Sequence, residues 1–477
     1  MTTTDDQPGR PARNRNWRAA LGALQHPALA FVTALLVGSV IIVVADLPTL
    51  GALGQALSRG VGAYLVLVVA ILLAVGAGVL SANAGRLVRR LAPAAPAWAD
   101  RAARWGAILL GVLVVYLVLA LGGFNTVLAD GWRAVTLAYS SLLEGSLGSL
   151  SRITAALQGG DRAEIRLAFY PVLESLVAST PYIFAGLAVA VGFRCGLFNI
   201  GAEGQLFMGA IFSVYVGYSL HGLPAIIHVP LALAAGALGG ALWALPPAIL
   251  KAKVGAHEVI NTIMMNYIAI RLSDWLLNGP MKGPGSANPV TASIEPSAWL
   301  PRFFADPIRF HLGFFIALGV AALVGWFLFR TTLGFELRTV GVNPNAARYS
   351  GMSITRNYII AFCLSGALAG LAGANEVLGV NHNLAVAFSA GYGFDSIALA
   401  LLGKSHPLGV VLASLLFGTL RSGGTRMQNV AKIPVDIIGV VQALVIAFVA
   451  APAIIRALYR IKESKVVDTV FTRGWGK

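Results

Sequence analysis

Runs of apolar residues long enough to cross a lipid bilayer alternate with short polar links along the chain. The pattern predicts spans at 27–45, 61–82 and 106–123, then a mixed-charge stretch at 124–170, partly amphipathic around 132–157. From Pro171 the texture changes. Apolar helical segments at 171–195, 202–220, 225–250, 257–278, 311–329, 355–379, 393–403, 407–421 and 436–456 are broken by Gly, Asn and Pro at membrane depth. Irregular backbone inside a bilayer survives only where protein or a water-filled cavity satisfies its polar groups. Two broken segments, "GLFNIGAEGQLFMGA" (196–210) and "GYGFDSIALALLGKSHPLG" (391–409), form a loosely similar pair of the kind that marks a transport pathway. The expected fold is an all-α polytopic membrane protein of about ten to twelve crossings, with broken or re-entrant helices.

Composition agrees. The 477 residues are 57% hydrophobic and 12% charged, against about 25% charged in soluble domains, and mean hydropathy is +0.76. Net charge is +15, which in a soluble protein suggests nucleic acid. Here Lys and Arg gather in short loops, as the positive-inside bias requires, and nucleic acid is not an expected partner. Arg10, Arg13, Arg15 and Arg18 precede the first span, and no small-residue cleavage site follows it, so the span is read as uncleaved. Arg86, Arg89, Arg90, Arg101 and Arg104 place the link between the second and third spans inside, with Pro93 and Pro96 breaking the helix. The loop 278–310, rich in Pro and Gly, suits the outside; the loop 330–357 and the basic "RALYRIKESK" suit the inside. Both termini are thus expected in the cytoplasm. The expected division is a cytoplasmic tail at 1–26, N-terminal membrane segments at 27–170, a core at 171–456 and a cytoplasmic tail at 457–477.

Candidate chemistry is sparse. Gly403-Lys404-Ser405 matches the end of a phosphate-binding loop, but Ala398 stands where that loop needs its first glycine, and four apolar residues lie between. His257-Glu258 lacks the second histidine of a zinc helix, since position 261 is Asn, so no metal is expected. Cys195 and Cys363 lie in apolar stretches and imply no disulfide framework. Polar side chains at membrane depth are costly and often functional. They include Asn199, Glu203, Gln205, Asn261, Asn266, Asn375, Glu376, Asn381, Asn383 and Asp395. Most are neutral amides, suited to an uncharged, hydroxyl-rich solute, while Phe198, Phe207, Tyr267, Phe388, Tyr392 and Phe394 offer flat surfaces to a ring. For each amide the competing role is a hydrogen bond between helices. Glu203 and Asp395 have further alternatives: pairing with Arg194 or Lys404, or accepting from free amides at helix starts.

The loop 330–357 is long for a helix connection, which needs roughly 2–8 residues. In "NPNAARYSG", Asn343 is a candidate N-cap, Pro344 starts the helix and Gly351 stops it, predicting a short helix at the cytoplasmic surface. "LGFELRTVGVNPNAARYSGMSI" followed by "AFCLSGALAGLAGANEVLGV" resembles the permease subunits of ABC importers of the branched-chain amino acid, simple sugar and nucleoside group. "GLFNIGAEGQ", "HEVINTIMMNYIA" and "GYGFDSIALALLGKSHPLGVVLASLLFGTLRSGG" are similar to the nucleoside permeases of that group. The resemblance covers about 171–455 and leaves the first three spans unmatched.

The resemblance implies a type II-like importer permease fold with no catalytic residues. It makes the short helix the coupling element that docks on a separate ATPase, through Arg338, Val340, Gly341, Asn343, Pro344, Ala346, Ala347 and Tyr349. ATP and Mg would then be bound by that partner, and this chain would bind no cofactor. Further implied partners are a second permease (a related chain or a second copy), an extracytoplasmic substrate-binding lipoprotein, a nucleoside and the bilayer of a bacterial-type plasma membrane. The pathway residues implied are Asn199, Glu203, Gln205, Asn261, Asn266, Asn375, Glu376, Phe394 and Asp395. Competing readings are a ribose-like sugar permease, an ion-coupled transporter enlisting Glu203, Glu376 and Asp395, and a membrane enzyme. The ion-coupled reading leaves the 330–357 loop unexplained, and no convergent catalytic set supports the last.

Overall fold

The computed structural model describes residues 16–91, 96–389, 391–434, 436–450 and 454. The C-terminal tail and most of the N-terminal tail lie outside these residues. Among them the chain forms α1 (Asn16–Ala45), α2 (Leu47–Leu57), α3 (Val61–Leu91), α4 (Ala97–Leu121), α5 (Asn125–Leu147), α6 (Leu150–Gly159), α7 (Arg162–Arg194), α8 (Ala202–Ser219) and α9 (Ala225–Ile249). There follow α10 (Glu258–Asn278), α11 (Gly313–Arg330), α12 (Thr332–Val342), α13 (Pro344–Tyr349), α14 (Ile354–Glu376), α15 (Tyr392–Leu402), α16 (Pro407–Ala431) and α17 (Asp436–Ala450).

Seven of these helices are long and apolar enough to cross a membrane, or eight if α1 and α2, bent by 66°, count as one broken span. The polytopic all-α expectation holds. Helices α8 and α10 have membrane-crossing length at 18 and 21 residues, but the polar groups they carry dilute their hydropathy. Between α1 and α2, Asp46 ends one helix and caps the next, its carboxylate accepting from the Thr49 amide and hydroxyl at 2.9 and 2.6 Å.

Three elements differ from the sequence expectation. The stretch 124–170 is helical through α5, α6 and the start of α7, so Pro171 sits inside α7, not at its beginning. A proline in a membrane helix is tolerated when neighbours re-satisfy the freed carbonyl. The loop segment 332–342 is the helix α12, capped by the Thr331 hydroxyl, which accepts from the Gly334 amide. Helix α16 runs on to Ala431, which carries Arg421 into the helix interior instead of leaving it at an end.

The described residues form two compact units, the smaller made of 35–141 with 426–437, the larger centred on 142–425. In the smaller, α3 and α4 pack as a pair and Phe124 fills a core with Ala56 and Ala63. In the larger, α7 is buried almost continuously from Val177 to Gly192. Helices α8, α9 and α14 meet at glycines: a Cβ on Gly240 would collide with the Gly366 carbonyl, and one on Gly373 with the Leu206 carbonyl. Small residues let backbones touch where the bilayer offers no hydrophobic drive between helices.

The proline-rich link 279–312 pairs with the chain after α14. Thr291 N donates to Leu384 O at 3.0 Å, Ile294 N to His382 O at 2.9 Å, and Leu300 N to Leu378 O at 3.0 Å. The Trp299 ring stacks on His382 at 4.0 Å, and Arg302 Nη2 lies 2.7 Å from His382 Nε2. The link is an ordered cap, held by backbone bonds that its composition did not announce.

Candidate functional site: two broken helices and a short capped helix

Helix α7 stops at Arg194, and the chain then runs unwound from Cys195 to Gly201 before α8 begins. Helix α14 ends in a π turn, Val377–Asn381, and the chain turns back at His382, in the left-handed region at φ 54°, toward the short α15. The starts of α8 and α15 face each other. Glu203, in the first turn of α8, accepts the Gly393 amide at 2.7 Å, and Gly393 has no room for a side chain against Glu203. A carboxylate suits the unpaired amides of a helix start.

Two residues further, Asp395 accepts the Tyr182 hydroxyl at 2.8 Å, and Arg421 Nη1 donates to the same Tyr182 oxygen at 2.9 Å. The Arg421 guanidinium lies 4.7 Å from the Tyr392 ring centre, and the Tyr182 and Tyr392 rings meet edge-on at 4.9 Å. Arg309 binds Glu174 through Nη2 at 2.6 Å and through its backbone amide at 3.2 Å. Arg309 and Arg421 are the cations near Glu376. Helices α7, α14, α15 and α16, with the residues leading into α11, thus assemble a charged and aromatic cluster at membrane depth. Phe394, beside it, is 48% exposed.

The amides fall elsewhere. Asn199 Nδ2 donates to Gln205 Oε1 and Ser365 Oγ, both at 2.9 Å, and Asn199 Oδ1 accepts the Gly201 amide at 2.9 Å. Asn266 accepts from the Gly204 amide and donates to Ile200 O, both at 2.8 Å. Asn199, Gln205 and Asn266 are buried, and their bonds hold the unwound segment 195–201 in place. Asn375 is buried beside Gly313 with neither side-chain polar atom paired, and Asn261 is partly buried with its Nδ2 unpaired. Of the sequence candidates, Glu203, Phe394, Asp395 and Glu376 gather at the cluster. Tyr182, Arg421, Arg309 and Glu174 were missed. A lone arginine within an apolar helix was the available signal for Arg421; reading the span as ending at 421 hid it.

At the C-terminal end of α7 lie α12 and the short helix α13. Asn343 caps α13, its side chain accepting the Asn345 and Ala346 amides at 3.0 and 3.1 Å, and Gly351 ends it at φ 80°. The predicted short helix is there, with the predicted ends. The segment α12–α13 is anchored through a few side chains and bare elsewhere. Val340 and Ala347 are fully buried with Leu337, Cys195, Leu197 and Phe362, whereas Tyr349 is 96% exposed and Ala346 and Arg348 are exposed too. Gly341 lies on the backbone of Arg194–Gly196, where a side chain would collide with the Arg194 carbonyl. Arg338 stacks over Phe329 at 5.1 Å.

The Gly403-Lys404-Ser405 sequence forms the turn from α15 to α16. Its amides donate to the Leu399, Leu401 and Ala400 carbonyls, at 2.8, 3.0 and 2.7 Å, which leaves none to wrap a phosphate. Among the described residues no three His, Cys, Asp or Glu side chains are placed to hold a metal ion.

The family model described as "Branched-chain amino acid transport system / permease component" matches residues 172–458. The chain is 42% identical to the guanosine ABC transporter permease protein NupP of Bacillus subtilis, over 73% of this chain and 93% of that one. It is 38% identical to the glucose ABC transporter permease protein TsgB13 of Haloferax volcanii, over 58% of this chain and 76% of that one. It is 35% identical to the nucleoside ABC transporter permease protein NupB of Lactococcus lactis, over 60% and 80%. No solved structure matches. The matched region contains the broken helices, the charged cluster and the short helix α13, and the chain belongs to the branched-chain amino acid transport system permease family.

Proposed function

We propose that this chain is the membrane permease subunit of an ATP-driven importer that carries nucleosides across a bacterial-type plasma membrane, with both termini in the cytoplasm. The observation that carries the reading is α13, a short helix capped at both ends, anchored through Ala347 beside the buried residues of α12 and otherwise largely bare. Such a helix is built to be pressed. The presser is a separate ATPase subunit that binds ATP and Mg, while this chain does no chemistry itself. The solute path then runs past Phe394, Asp395, Glu376 and Arg421, where an aromatic face and hydrogen-bonding groups suit a base and a ribose. A second permease completes the path, and an extracytoplasmic binding lipoprotein delivers the solute. Two relatives carry guanosine or nucleoside in their names, which supports the substrate class.

A sugar is the second reading, favoured by the glucose permease among the relatives. Uptake of labelled adenosine, uridine and ribose by cells with and without the gene separates the two. Loss of nucleoside uptake on deletion, restored by the gene but not by Gly341→Trp, is the expected result. Loss of ribose uptake alone moves the substrate to sugars. Uptake that survives ATP depletion but collapses with an uncoupler contradicts the ATP-driven mechanism.

A further inference from the structure

Lys404 and Ser405 are consecutive non-glycine residues in the left-handed region, at φ 52° and 50°. A left-handed conformation costs an L-residue about 1–2 kcal/mol, and two in succession persist only where the surroundings impose them. Here the amides of the turn bond back to α15, and one side chain from another helix holds its carbonyls. Arg194 Nε donates to Ser405 O at 2.8 Å and Nη2 to Lys404 O at 3.3 Å, so a single guanidinium fork takes two successive carbonyls. The Ser405 hydroxyl is buried without a partner. The turn is therefore gripped by its backbone.

Arg194 also belongs to the coupling segment. Its carbonyl is the atom that Gly341 abuts, and its guanidinium lies 5.5 Å from the Phe329 ring centre, 5.1 Å being the distance of Arg338 from the same ring. His406, just past the turn, stacks on Phe329 at 5.2 Å. At the other end of α15, α7 reaches Asp395 through Tyr182. Helix α15 is about 16 Å long and the Tyr182–Arg194 stretch of α7 about 18 Å, at 1.5 Å per residue. The short helix is thus held at both ends by one long one.

We propose that Arg194 is the positioning residue that carries displacement of α12 and α13 to α15, and so to Phe394 and Asp395 at its far end. This rests on the reading of the chain as an ATP-driven permease. When the ATPase moves α13, the Gly341 contact moves the end of α7, and the Arg194 fork drags the 404–405 turn with it. A lysine would keep the charge but not the fork, since an ammonium is a point donor.

The test uses the whole transporter in proteoliposomes, reading solute taken up per ATP hydrolysed. Arg194→Gln is expected to lower that ratio tenfold or more in complexes that remain assembled, with Arg194→Lys recovering only part of it. A merely structural arginine would lower yield and melting temperature but leave the ratio of the folded fraction unchanged, and that result overturns the proposal. Phe329→Leu keeps Arg194 but removes the ring that it shares with Arg338 and His406. It gives the second reading if Arg194→Gln does not assemble: a ratio lowered about threefold supports the link, and an unchanged ratio overturns it. ATP-independent uptake by the unsubstituted complex would instead overturn the functional reading, and this inference with it.

Discussion

Helices α3 and α7 are nearly equal in length, 31 and 33 residues, and both pass as membrane spans. In α7, 83% of the most apolar window is buried within the protein; in α3, 6%. The buried helix is the less apolar of the two. Helix α3 is rich in Val and Leu, side chains that lipid solvates as well as protein does. Helix α7 carries Glu174, Ser175, Ser179, Thr180, Tyr182 and Gly186, which pack closely or bond across helices. In a bilayer, hydropathy therefore says that a helix crosses, while small and polar residues say that it has neighbours.

The sharpest way to break this contrast is a matched pair of glycine substitutions. Gly370→Leu drives a side chain into the Gly236 carbonyl and is expected to abolish recovery of monodisperse protein in detergent. A Cβ on Gly76 in α3 would meet nothing within 4 Å, and Gly76→Leu should leave recovery unchanged. Equal losses would show that this face of α3 packs against a neighbour.

Next in size is Glu203→Ala, which leaves the Gly393 amide without its acceptor in a buried place. It should cost about 1–3 kcal/mol, read as a lowered melting temperature, with Glu203→Gln intermediate.

The cap formed by the 279–312 link supplies a pH arm. Burial first, then the positive charges of Arg302, His382 and Arg309, pushes His311 down to about 4. Burial and Arg302, against Asp306, push His382 down to about 4 as well. A histidine whose folded value lies below its ordinary 6.5 binds fewer protons when folded. The stability it lends is whole above about pH 6.5 and is lost as pH falls toward 4. For His311 alone linkage gives roughly 2 kcal/mol lost at pH 5. Hydrogen-exchange protection factors of residues 290–303, corrected for the intrinsic pH dependence of exchange, should fall at pH 5 relative to pH 7.5, and His311→Gln should flatten that difference.

Smallest in stability is Tyr349→Ala, expected within about 0.5 kcal/mol because the ring is exposed. It should nonetheless weaken capture of the ATPase, whereas Val340→Ala should cost about 2 kcal/mol by opening a core that includes Cys195, Leu197 and Phe362. A Tyr349→Ala protein that captures the ATPase normally would remove α13 from the interface.

What the sequence disclosed and what it hid follow the same physics. The starts of α8 and α15 and both ends of α13 were legible, because caps and glycine stops are written within a few residues. Helix α12 was not: its cap, Thr331, follows directly on the basic end of α11, and charge argued for a loop. The pairing of Tyr182 with Asp395 and Arg421 joins residues more than two hundred positions apart, which no local pattern can show. Asn199, Gln205 and Asn266 carried the polarity of a pathway, and in the structure they bond to the backbone, to Ser365 and, for Asn199 and Gln205, to each other. The amide that keeps both side-chain atoms unpaired is Asn375.

The most direct measurement is uptake of labelled nucleoside by proteoliposomes that contain the complete transporter and the binding protein, with ATP supplied on the α13 side. Accumulation that requires ATP hydrolysis and disappears with Gly341→Trp is the predicted result. Accumulation driven by an ion gradient in the absence of ATP would contradict the account.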